Sequence, residues 1–140
     1  VTVRDEINAK VSEALNWLEN EVEVEPIGDP STFPALAIFT GGSVVLEREA
    51  TLTRYQGEFT IEGYVDGCDG EAPTAERNAL HARVVAAIMA DETLGGAVEL
   101  VEDADCRFAT ATLASARRLM FAQDFTIQFT TARGDPARPA

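Results

Sequence analysis

Lysine is almost missing. Lys10 is the only one, and 11 basic side chains stand against 24 acidic ones, for a formal net charge of −13 over 140 residues. With a pI near 4.3, the chain is poorly suited to gripping a phosphate backbone or an anionic lipid surface, because Lys and Arg supply most of either affinity. Long hydrophobic runs are absent too. Nothing approaches the roughly 18–20 apolar residues of a membrane span, and Val1-Thr2-Val3-Arg4-Asp5-Glu6 lacks the apolar stretch of a signal peptide. Cysteine is limited to Cys68 and Cys106, too few for a disulfide framework at this length, so a reducing compartment is expected. Histidine occurs once, at His81, which confines imidazole chemistry to one place. What is present, 46% hydrophobic and 25% charged residues, is ordinary globular usage. The length suits one domain, residues 1–140, since two would each lack a self-sufficient core.

The acid is unevenly spread. Residues 1–70 carry 14 acidic and 4 basic side chains, and residues 71–140 carry 10 and 7. Glu19, Glu21, Glu23, Glu25 and Asp29 crowd into one short stretch. Such a cluster reads either as a solvated loop that keeps the protein soluble or as a surface that repels a passing polyanion or meets a basic partner, and charge alone does not choose between them.

Thr2 followed by Asp5 predicts a capped helix. Val3, Ile7, Val11, Leu15 and Leu18 extend one apolar stripe to about Leu18. Residues 21–34, with Pro26, Gly28-Asp29-Pro30 and Phe33-Pro34, read as a connector without regular structure. A first strand is expected at 35–39, a turn at Gly41-Gly42, and β-rich segments at 43–49 and 50–55 that form a strand or a projecting arm. Residues 57–66 alternate, with Phe59, Ile61 and Val65 opposed to Thr60, Glu62 and Tyr64. After a loop at 66–71, Thr74 is the expected N-cap of a second helix with Leu80, Val84, Ala87 and Ile88 on its buried side, reaching about Asp91. Gly95-Gly96 supplies the positive φ needed to turn away. Strands are expected at 97–101, with 102–105 as a polar exit, at 107–113, and at 119–131, where Leu119, Phe121, Phe125, Ile127 and Phe129 share a face. Residues 134–140 read as an irregular tail. Two helices are too few to cover both faces of a sheet. The expected fold is therefore α+β, a two-layer sandwich with both helices on one face of a mostly antiparallel sheet.

No catalytic, cofactor-binding or metal-binding residue stands out. Cys68, Cys106 and His81 lack the spacing of a metal site. The run Asp66-Gly67-Cys68-Asp69-Gly70-Glu71 has its acids at the wrong places for a calcium loop. Ser43 lacks the glycine pattern of a nucleophile elbow, and Gly41-Gly42 lacks the Lys-Ser/Thr of a phosphate loop.

Residues 80–96 are distinctive: a helix ending in Ala87-Ile88-Met89-Ala90, then Asp91-x-x-Leu94-Gly95-Gly96, then a strand. Together with the opening helix over 4–18 and the closing Phe125-Thr126-Ile127-Gln128-Phe129-Thr130-Thr131 followed by Gly134-Asp135-Pro136, this resembles the tail terminator, or tail completion, proteins of long-tailed phages and phage-like gene transfer agents. Phenylalanine stands where that family's last strand has tyrosine, and Thr130 where it has arginine. The resemblance implies a non-enzymatic virion protein, assembled in a bacterial cytoplasm. Six copies would form a ring that caps the tail tube and joins it to the neck or head-completion protein, with DNA passing through the channel unbound. It implies no cofactor and no membrane. The polar sheet face and residues 41–57 are the expected subunit contacts. The 134–140 tail is expected to pack on a neighbouring subunit or neck protein. A head-closure or connector protein, and a small α+β enzyme or ligand-binding domain, are the alternative readings.

Overall fold

A computed structural model describes residues 2–19 and 22–140. Helix α1 (Val3–Ala14) starts as expected. Thr2 Oγ1 accepts from the Asp5 amide at 3.1 Å while the Asp5 carboxylate accepts from the Thr2 amide at 3.0 Å, a reciprocal capping box. Val3, Ile7 and Val11 are buried at four-residue spacing. The helix stops at Ala14, a turn short of Leu18, and the stripe continues in a tight turn in which Leu15 is wholly buried.

The 21–34 connector is more ordered than expected. Strand β1 (Val22–Val24) pairs in parallel with β2 (Ala35–Arg48), while Glu21 lies outside the described residues. Pro26, Gly28 and Pro30 break only the stretch after Val24. Gly41-Gly42 is not a turn. β2 runs straight through it, with a register irregularity between Thr40 and Ser43. Glycine is needed at 41 because the Glu58 side chain occupies the space a Cβ would take. The chain reverses instead at 49–51, where the Glu49 amide donates to the Leu52 carbonyl at 2.9 Å, and returns as β3 (Leu52–Tyr64).

Helix α2 (Glu71–Met89) begins three residues before Thr74. Thr74 is not its cap: its hydroxyl lies inside the first turn and donates to the Gly70 carbonyl at 3.0 Å. Pro73 is tolerated there because first-turn amides have no helical partner to lose. Leu80, Val84 and Ile88 are buried and Ala87 half-buried, as the stripe predicts. Leu94, Gly95 and Gly96 all take positive φ, at 48°, 66° and 87°. The Asp91 carboxylate ties this turn by accepting from the Thr93 and Gly95 amides at 3.0 and 2.8 Å.

The two strands expected at 97–101 and 107–113 are one, β4 (Leu100–Leu113). Its acidic stretch does not end the strand; one extra residue is absorbed as a bulge between Asp103 and Cys106. Ala114 and Ser115, both at positive φ, make a two-residue turn into β5 (Ala116–Ala132). The tail after Gly134 is not irregular. It folds back as β6 (Asp135–Pro139) along the end of β5.

The six strands run β1-β2-β3-β5-β4, with β6 beside β5. Every pairing is antiparallel except β1 with β2. Both helices cover one face, so the α+β two-layer sandwich holds. Phe59, Phe121 and Phe125 anchor the interlayer core together with Ile7, Val11, Val84 and Ile88, and the Phe59 and Phe125 rings stack at 5.0 Å between centroids.

Candidate interaction surface

Alternation along the strands sends every second side chain to the face the helices leave open. β3 contributes Thr60, Glu62 and Tyr64 there, and β5 contributes Met120, Asp124, Thr126, Gln128 and Thr130, with register partners directly opposite. Asp124 is the most heavily tied of these. It accepts from Thr60 Oγ1 at 2.7 Å and from both Arg107 terminal nitrogens at 2.7 and 3.1 Å. The Arg107 fork, followed by the Thr60 hydroxyl, holds its carboxyl below the usual aspartate range. The Tyr64 hydroxyl donates to Glu62 at 2.6 Å. Burial, and then that carboxylate, pushes the phenol well above its ordinary value. Arg118 bonds the Asp66 carboxylate and lies 3.7 Å from the centre of the Phe33 ring.

The Asp124 ties cross-link β5 to β3 and β4. The face presents amides, hydroxyls and carboxylates, with Asp124 paired to Arg107 and Glu62 bonded to the Tyr64 hydroxyl. It has two sizeable depressions: one of about 250 Å³ between the 26–30 segment and Ala35, Phe39, Tyr64 and Leu113, and a wider one of about 390 Å³ between Gly42, Val44, Gln56, Glu58 and Thr126.

The residues weighed for chemistry are dispersed. His81 Nε2 is 2.8 Å from Gln123 Oε1 and the ring sits edge-on to Phe108 and Phe121. Gln123, 2% exposed, also donates to the Ala104 and Asp124 carbonyls, so the histidine braces α2 against β5. Cys106 is half-buried, and burial pushes its thiol up, away from the reactive thiolate. Ser43 accepts from Arg4. Among the described residues no group of three or more His, Cys, Asp or Glu side chains could hold a metal ion, and no helix is long and apolar enough to cross a membrane.

No family model matches the chain, and no curated protein is significantly similar to it. The surface alone remains to be read, and its edges carry the strongest signal.

β1 covers β2 only as far as Ile38; Glu25 then extends that cover, its amide donating to the Ile38 carbonyl and its carboxylate accepting from the Thr40 amide at 2.7 Å. Beyond Thr40 the outer edge of β2 has no strand beside it among the described residues. Val44, Val45 and Leu46 stand there 62%, 38% and 46% exposed. On the far side of the sheet the outer edge of β4 is equally unpaired, and Phe108 is 49% exposed. Residues 41–57 were expected to make contacts. The β4 edge was not, although a signal for it exists: residues 108–116 form an uncharged run, as residues 30–46 do.

Proposed function

We propose that this protein is a structural ring subunit of a phage-like tail: copies associate side by side, cap the end of the tail tube and join it to the neck, leaving a channel through which DNA passes without being held. One observation carries the reading. The sheet has an unpaired edge on each side and an open polar face between them, the layout of a subunit that meets its neighbours through two different patches. Such head-to-tail contacts generate rings when the rotation closes. The residues behind the resemblance support the same reading. The Asp91–Gly96 turn and the Phe125–Thr131 strand with its Gly134-Asp135-Pro136 return build the α2 exit and the β5–β6 hairpin. A net charge of −13 suits a channel wall that must not grip a polyanion.

Incubation with tail-tube protein, followed by negative-stain imaging, tests the proposal. Ring-shaped density seated on tube ends is the expected result. A subunit that stays monomeric beside tube ends and carries a bound small molecule in the Tyr64–Leu113 depression would instead mark a ligand-binding domain.

A further inference from the structure

Taken alone, an exposed edge strand is an unfinished sheet. Its outward amides and carbonyls face water, and proteins usually blunt such an edge with charge, proline, a bulge or brevity. The edges of this sheet differ in how they are guarded. β1 is three residues long. β6 carries Pro136 and Pro139, which have no amide to donate. The first half of β4 carries Glu102, Asp103 and Asp105 and is bulged between Asp103 and Cys106. Two stretches carry neither charge nor proline: residues 43–46 of β2, which lie between register irregularities at Thr40/Ser43 and Val45/Glu47, and residues 108–113 in the second half of β4. They fall within uncharged runs of the sequence, residues 30–46 and 108–116. Of the large hydrophobic side chains exposed among the described residues, four of six lie on these two edges: Val44, Val45, Leu46 and Phe108.

From this placement, and resting on the ring reading above, we infer that residues 43–46 of one subunit pair edge to edge with residues 108–113 of a second copy of this chain, continuing the sheet from subunit to subunit. The occupant follows from charge. Two copies at −13 repel, and the repulsion is least where the approaching strands themselves carry no acid; residues 43–46 and 108–113 carry none, and Arg77 over the Phe108 ring and Arg117 on the Thr110 hydroxyl add cations beside the second. Geometry agrees. The edges lie on opposite sides of the same sheet, so each subunit can use both at once, and the contact is head-to-tail rather than two-fold. They are also offset along the strands. Residues 43–46 lie level with the C-terminal half of β5, through Tyr55 and Phe129, while residues 108–113 lie level with its N-terminal half. Joining such edges staggers each sheet against the next, and a stagger of this kind is what lets a tilted sheet close on itself.

The test uses the full chain with one edge blocked at a time: Val44→Glu with Leu46→Glu on β2, and Thr110→Glu with Thr112→Glu on β4. All four side chains are exposed. Native mass spectrometry across a concentration series should find wild type in closed oligomers and each variant alone at the 15.0 kDa subunit mass. Mixed 1:1, the two variants should form a species of twice that mass and nothing larger, because each keeps the edge the other has lost. Misfolded variants could not give that dimer. Should a double variant unfold, Val44→Glu alone carries the β2 arm. Closed oligomers that persist in both variants would overturn the pairing while leaving the ring reading standing. A β4 variant that dimerises by itself would show two-fold β2 pairing and overturn it as well. A folded wild type that stays monomeric throughout would remove both.

Discussion

Gly63 marks how closely the layers of side chains approach. A Cβ at this position would run into the Phe121 ring, and Phe121 is fully buried, so the ring has nowhere to retreat. Gly63→Ala should destabilise the protein by about 1–3 kcal/mol through overpacking, visible as a lower midpoint in urea with an unchanged slope. Phe125→Ala, which empties the stack against Phe59, should lose about 3–5 kcal/mol in the same measurement. Asp124 gives a prediction with a pH sign. Its carboxyl is held below its unfolded value of about 3.8 by Arg107 and Thr60, so the stability it contributes is present above that value and fades as pH falls through the folded one. The gap in Tm between wild type and Asp124→Asn should therefore be widest near neutral pH and begin to close below about pH 4. A gap that is flat from pH 7 to pH 3 would mean the Arg107 pair does not stabilise the fold.

Local chemistry marks the beginning of α1 more firmly than its end, whereas α2 starts three residues before the expected Thr74 cap, with no side-chain cap at Gly70. The α1 start was legible because Thr2 and Asp5 form a reciprocal cap within four residues, and Thr2→Ala should cost about 1 kcal/mol, read by thermal unfolding. The apolar stripes of α1, α2, β3 and β5 were legible for the same reason: burial on one face repeats with the period of the element. The Gly41-Gly42 segment was misread because its glycines answer to a partner strand, leaving room for Glu58 rather than reversing the chain. The acidic stretch at 102–105 was misread likewise, since a bulge lets β4 absorb residues that look like an exit loop. β1 and β6 are short strands whose sequences, Val-Glu-Val and Asp-Pro-Ala-Arg-Pro, become strands only because a longer neighbour offers an edge. The candidate surface was half legible. Polar alternation on β3 and β5 announced the open face, whereas an unpaired edge is a property of topology that no window of sequence contains.

Across the whole molecule the dominant quantity is charge. Copies at −13 repel over roughly 10 Å at 0.1 M salt and further when it is dilute, so oligomer formation should strengthen as sodium chloride is raised from about 10 mM to about 300 mM, measured as the oligomeric fraction by light scattering. Ion-pair-driven contacts would weaken over the same range, which makes the direction decisive. Topology adds a timing constraint. β3 is flanked in the finished sheet by β2 and β5, yet 51 residues lie between Tyr64 and Ala116 in the chain. At about 5–20 residues per second, a ribosome needs several seconds to deliver β5 after β3 has emerged. During that interval the nascent β2–β3 hairpin has the whole outer flank of β3 uncovered, the flank destined to be the seam of the fold, while β1 already covers part of β2. The acid crowded into the first half of the chain keeps neighbouring nascent chains on a polysome from zipping together before their own missing strand arrives.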